Sequence, residues 1–144
     1  MDRNQPAHRS IRLIAVCTLA ARTDGACRWC GDPLPVRRRT WCSDRCAEKF
    51  WANHWWTLAR RAAKRRDRYR CKRCGHKPPS RSHPKYKRLR KTDRLEVNHI
   101  QQARGAHREL SCLHHLDNLE TLCLACHRGE TASQRAQVRT RLIG

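Results

Sequence analysis

Apolar positions along this chain follow three different rhythms. After Cys46, residues Ala47, Phe50, Trp51, Trp55, Leu58 and Ala62 recur mostly at steps of three and four, the spacing of one helix face. The pattern predicts an amphipathic helix over 43–69. Ser43 or Asp44 can cap its start, and Glu48 lies near the first turn, where a carboxylate is favoured. Trp55 and Trp56 are adjacent and diverge by about 100° around the axis, so both cannot face fully inward. Core packing is the simplest role for this face, His54 included; stacking on nucleic-acid bases is the alternative for one tryptophan.

The second rhythm is alternation. In "LEVNHI" (95–100), Leu95 and Val97 share one face and Glu96 and Asn98 the other, as in a half-buried strand that ends at His99. The following "DNLETLCLACHRGETASQRAQVRTRL" reads as a turn feeding a helix. The third rhythm is a short apolar run, 13–21, with Arg3, Arg9 and Arg12 before it and Arg22 after it. Nine residues are too few to span a bilayer. A signal peptide is the competing reading; a small helix or strand packed on the module that follows is preferred. Between these elements, "GHKPPSRSHPKYKRLRKTDR" (75–94) is a polar loop, and "VRRRTW" (36–41) is a short strand candidate.

Composition sharpens this picture. Only 38% of the 144 residues are apolar, a thin supply for a conventional core, and small domains of this kind often rely on metals or disulfides. Ten cysteines are present. Eight fall in four close pairs, Cys27/Cys30, Cys42/Cys46, Cys71/Cys74 and Cys123/Cys126. Two or three intervening residues let one turn present two thiolates to a tetrahedral ion. The pairs predict two structural zinc sites, one from Cys27, Cys30, Cys42 and Cys46 and one from Cys71, Cys74, Cys123 and Cys126. Four thiolates saturate zinc, so neither site is catalytic. Gly31, after Cys30, can supply the positive φ that closes the first cysteine turn. Cys17 and Cys112 are left over as free thiols, Cys17 buried, in keeping with a reducing compartment.

Charge narrows the partner. There are 33 Lys and Arg against 12 Asp and Glu, a formal +21, which points to a polyanion rather than to a fold. Residues 59–91 hold sixteen Lys or Arg and a single acid, Asp67. Arg60, Arg61, Lys64, Arg65, Arg66 and Arg68 are read as phosphate contacts, which give affinity without sequence choice. No membrane partner is expected.

The chemistry is expected where the second cysteine set encloses or borders His99, Asn118 and His127. A neutral imidazole is a sound general base near pH 7, and a second imidazole with an amide or carboxylate oxygen can hold a divalent ion against a phosphate. These residue types within basic surroundings suggest phosphodiester hydrolysis by an activated water.

The segments "CKRC", "LEVNHI", "DNLETLCLACH" and "RGETASQRAQ" resemble the HNH endonuclease family of the zinc-clamped ββα-metal kind, over 71–141 and thus about half the chain. The resemblance implies that 71–141 is a nuclease domain; with the four-cysteine zinc module (23–50) and the basic amphipathic linking helix (43–69) read from the residues, the chain is expected to be a small α+β, zinc-stabilised protein. It implies that His99 is the general base, that Asn118 holds the loop and the histidine in geometry, and that His127 binds a catalytic Mg²⁺, Mn²⁺ or Zn²⁺ ion beyond the two structural zincs. Asn98 stands where the family usually has a metal-binding Asp, which replaces a strong ligand by a weaker amide oxygen. Glu96 shares its strand parity and could partly compensate, or could pair with an arginine. One of His107, His114 and His115 could aid the site; solvated loop histidines are the plainer reading. Arg104 or Arg128 would offset charge on the reacting phosphate. The implied substrate is double-stranded DNA, in a bacterial or phage-infected cytoplasm or, in a eukaryote, a nucleus, and a dimer or larger DNA-processing complex would suit double-strand cleavage. A weakened or inactive HNH-fold zinc protein that binds nucleic acid is the second reading.

Overall fold

The computed structural model describes residues 17–20, 23–102 and 110–143, with the side chains at 91 and 137–143 outside that description. It is a small α+β fold. Among the described residues, three α-helices, α1 (Asp44–His54), α2 (Trp56–Arg66) and α3 (Leu124–Ile143), accompany a two-stranded antiparallel sheet of β1 (Leu95–His99) and β2 (Leu119–Cys123). No described helix is long and apolar enough to cross a membrane. The expected element within 11–21 falls largely outside the described residues.

The chain divides into two compact units, Met1–Arg61 with Gln101–Asn118, and Ala62–Ile100 with Leu119–Gly144. Residues 101–118, which the sequence places inside 71–141, therefore belong with the N-terminal unit. The physical reason is local: Trp55 forms an antiparallel bridge with Leu110, and the Ser111 N–H donates to the His54 carbonyl at 3.1 Å.

In the first unit, α1 starts where Ser43, one of the two caps the sequence offers, accepts a hydrogen bond from the Cys46 N–H through its side chain. Phe50 is fully buried and stacks on His54, with ring centroids 4.0 Å apart; Trp41 packs against Phe50 as well. The predicted continuous helix is broken. Trp55 is extended (φ −98°, ψ 116°), which frees its edge for the Leu110 bridge, while its carbonyl accepts from Ala59 and restarts the helix as α2. Both Trp55 and Trp56 are half-buried, and the Trp56 ring meets His114. The strand expected over 36–41 is not formed. Arg38 N–H closes onto the Pro35 carbonyl around Arg37, which sits at φ 73°, and Val36 is 91% exposed. A proline-initiated turn there outcompetes extended pairing.

In the second unit, α2 ends at Arg66, short of the expected Tyr69. Arg68 and Tyr69 are left-handed (φ 52° and 53°), and the Tyr69 N–H reaches back to the Lys64 carbonyl, a Schellman-type closure. Asp67 turns inward. Its carboxylate takes two bonds from Arg66 and one from the Thr121 N–H at 3.0 Å. Lys64 donates to the Leu95 carbonyl and Arg66 to the Leu119 carbonyl. The end of α2 is thus stitched to both strands. The core is small: Cys71, Leu95, Leu122 and Cys123, with Cys126 packed against it. Residues 75–94 form the expected polar loop, with short 3₁₀ turns at Pro84–Arg88 and Lys91–Asp93.

Residues 119–123 correct the sequence reading, which takes them as turn and helix. They form β2, paired with β1 in the register Leu95↔Cys123 to His99↔Leu119. The run Leu-Glu-Thr-Leu-Cys is too short to show a period, and strand pairing decides its state.

Candidate metal centres and histidine site

Both four-cysteine sets converge. In each, the four sulfurs lie within 4.8 Å of one another. In the first unit, Cys30–Cys42 and Cys42–Cys46 are 3.5 Å apart and Cys46–Cys30 3.7 Å; in the second, Cys74–Cys123 are 3.6 Å apart. A tetrahedral ion with Zn–S bonds of about 2.3 Å would set its ligands about 3.8 Å apart, so these spacings fit zinc.

The two cysteine turns are built alike. The Cys27 N–H donates to the Asp32 carbonyl and the Gly31 N–H to the Cys27 carbonyl; the Cys71 N–H donates to His76 and the Gly75 N–H to Cys71. Gly31 and Gly75 sit at φ 81° and 74°, which L side chains resist. Burial opposes ionisation of Cys27, but backbone N–H groups of Cys30, Cys42 and Trp29 outweigh it and bring the thiol down to about 6. At Cys71 burial is likewise overcome by the N–H groups of Cys74, Cys123 and Arg73, again to about 6. At Cys42 the Cys30 thiol, and at Cys74 the His76 N–H, favour ionisation, but the other thiols beside them outweigh this and shift both the other way; thiolate is the form that zinc takes.

A third cluster was not visible in the sequence pattern. Cys17, His54, Cys112 and His115 bring their ligand atoms within 4.8 Å of one another. The Cys17 sulfur lies 3.0 Å from His54 Nε2 and 3.4 Å from His115 Nε2, and the two Nε2 atoms are 2.9 Å apart. Cys17 is buried, as expected, but neither it nor Cys112 stands alone, and His115 is a buried member rather than a solvated loop histidine. Burial pushes His54 down to about 4, against the opposing bond to the Phe50 carbonyl. The signal that could have revealed half of this cluster is Cys112-x₂-His115, itself a ligand-pair spacing.

In the second unit, β1 and α3 present the predicted histidines. His99 is buried at the end of β1, and Gln134 of α3 donates to the His99 and Ile100 carbonyls. His127 lies in the first turn of α3 and its Nδ1 meets Glu96 Oε2 at 2.7 Å. Among the described residues, Glu96 therefore pairs with a histidine rather than an arginine. The buried Asn98 stands directly opposite Glu120 and donates to its carboxylate at 3.1 Å. Glu120, missed in the sequence, also meets Arg73, which bridges to Glu130 at 2.6 Å. Asn98 and His127 thus engage different partners. Among the described residues, the three clusters above are the groups of His, Cys, Asp or Glu that converge at ligand spacing.

Asn118, in the first unit, is committed to backbone. It accepts from the Gln101 N–H at 2.7 Å and donates to the Gln101 and Leu113 carbonyls. Of the predicted phosphate contacts, Arg60, Arg61, Arg65, Arg68 and Arg128 are exposed. Lys64 and Arg66 are occupied by the structural bonds described above. Arg104 and His107 lie outside the described residues. Searches of family models, curated proteins and solved structures find no match to this chain.

Proposed function

We propose that the second unit is a phosphodiester-hydrolysing ββα module of the HNH kind, acting on DNA. The observation that carries this reading is the Glu96–His127 pair at 2.7 Å. A carboxylate behind one imidazole nitrogen fixes the ring and leaves Nε2 outward, the usual support of a metal-binding histidine. Two strands followed by a helix, with the four-cysteine cluster at Cys71, Cys74, Cys123 and Cys126, supply the frame that the sequence resemblance implies.

His127 and the Asn98 amide oxygen would hold a divalent ion, which when bound supplies charge stabilisation to phosphate oxygens. His99 accepts the proton of the attacking water. The water oxygen bonds to phosphorus as the bond to the 3′ oxygen breaks, leaving a 5′ phosphate. Arg128, exposed on the first turn of α3, offsets the added charge, with Arg104 as a second candidate. The exposed arginines of α2 and its end grip the backbone. Asn118 steadies the segment that follows His99 by holding Gln101 on both its N–H and its carbonyl.

A second reading, a nucleic-acid-binding zinc protein without turnover, is favoured by one observation: an amide replaces the expected carboxylate at Asn98 and is already bonded to Glu120. Plasmid nicking with Mg²⁺ or Mn²⁺ separates the two. The nuclease reading expects nicking by the native chain and its loss in His99→Ala. Activity in Asn98→Asp alone assigns the native chain to the second reading, and no cleavage of DNA or RNA by either rejects the mechanism.

A further inference from the structure

We propose that Cys17, His54, Cys112 and His115 form a third, closed zinc site that organises the N-terminal unit. This inference is independent of whether the second unit cuts DNA.

The ligand chemistry comes first. Two thiols and two imidazoles are a zinc donor set. Both histidines aim Nε2 at the same point, where the Cys17 sulfur also lies. The ring of His54 is oriented from behind. Its Nδ1 lies 2.7 Å from the Phe50 carbonyl, and a carbonyl can only accept, so Nδ1 carries the proton and Nε2 keeps its lone pair for a ligand. Such backing of a ligand histidine by a carbonyl is the usual second layer of a zinc site. The Nε2 atoms stand 2.9 Å apart, and an ion with Zn–N bonds of about 2.0–2.1 Å would spread them to about 3.3 Å. That adjustment is a few tenths of an ångström, within the reach of a turn and a helix end.

Charge and burial agree with this assignment. Two thiolates neutralise a dication, so the site would be uncharged overall, and three of its four ligand residues are buried. Burying an uncharged, fully coordinated site avoids the desolvation cost of burying a net charge. A hydrogen-bonded network of the same groups is less well matched: the single lone pair of His54 Nε2 faces two neighbours at 2.9–3.0 Å. A hollow of about 310 Å³ lies beside the cluster, lined by Cys112, His115, Asn118 and three neighbours.

The consequence for the fold is large because the ligands are far apart in sequence. Cys17 and His54 are 37 residues apart and His54 and His115 are 61 apart. One ion would join Cys17, the end of α1 and the 112–115 turn, and would fix the break at Trp55. Its four protein ligands leave no position for a substrate, so the site is structural.

Native mass spectrometry of the full chain, purified with zinc and briefly exposed to a weak chelator, tests this. Three zinc ions per chain are expected, falling to two in Cys112→Ala and remaining three in Cys112→His, which keeps a ligand at that position and so separates loss of one ion from general collapse. Two ions in the unaltered chain, or three retained by Cys112→Ala, would overturn the proposal.

Discussion

The four-cysteine cluster at Cys27, Cys30, Cys42 and Cys46 and the mixed cluster at Cys17, His54, Cys112 and His115 lie in the same unit, yet they are opposite kinds of object. The first is assembled from neighbours in sequence, is open to solvent at Cys30, and would carry two net negative charges around zinc within a strongly basic chain. The second is assembled from segments up to 98 residues apart, is mostly buried, and would be neutral. The difference teaches that a local site fixes a turn, whereas a long-range site fixes how separate segments meet. Loop-closure entropy rises only slowly with length, so one buried ion can hold distant segments that have little apolar surface to hold themselves.

The largest effect is expected from loss of a cysteine in the second four-cysteine cluster. Cys71→Ala removes a buried thiol from the second unit's candidate zinc cluster. Structural zinc in small domains contributes on the order of 10–16 kcal/mol of apparent binding energy. Loss of ordered β1–β2 pairing in that unit is expected, read by amide exchange at 95–99 and 119–123. The mixed cluster should fail more narrowly. His54→Ala is expected to release the Trp55–Leu110 bridge and speed exchange at Ser111, whose N–H bonds the His54 carbonyl, while exchange at Gly31 and Gly75 stays slow.

Asp67→Asn is a control outside every cluster. The buried carboxylate holds Arg66 and the Thr121 N–H, and a bond to a charged group of this kind is worth about 1.5–3 kcal/mol. A comparable drop in unfolding free energy is expected with zinc content unchanged. The sign of its pH dependence follows from the same bonds. Burial acts against the charged form, but Arg66 and Thr121 hold the carboxyl below the usual range. Its contribution is therefore complete above about pH 4, the unfolded value, and is lost as pH falls through the lower folded value. A difference between native chain and variant that grows on acidification would contradict it. The smallest effect is expected for Ser43→Ala, about 1 kcal/mol from the lost α1 cap, measured by denaturant melts.

How much could be read beforehand follows the same division. The four cysteine pairs, the cap at Ser43 or Asp44, the positive φ at Gly31 and the strand at 95–99 all depend on residues close in sequence and are legible there; the Cys71/Cys74 pair meets its partner pair some 49 residues on, and only the repeated pair spacing shows that. The break at Trp55 was not, because the Leu110 backbone that competes for its edge is remote. The strand at 119–123 needed its partner to be recognised. His54 looked like one more residue on an apolar face, and its carbonyl-backed ring acquires meaning only beside Cys17 and His115. Glu120 was passed over because the register that sets it against Asn98 cannot be read from one strand alone.

The most direct test of the central claim, that the mixed cluster is a zinc site, is X-ray absorption at the zinc edge of the unaltered, chelator-washed chain. Ten sulfurs and two imidazole nitrogens shared among three ions predict a mean shell of mostly sulfur with a distinct imidazole contribution. A pure sulfur shell, with no imidazole scattering, would rule out zinc at Cys17, His54, Cys112 and His115.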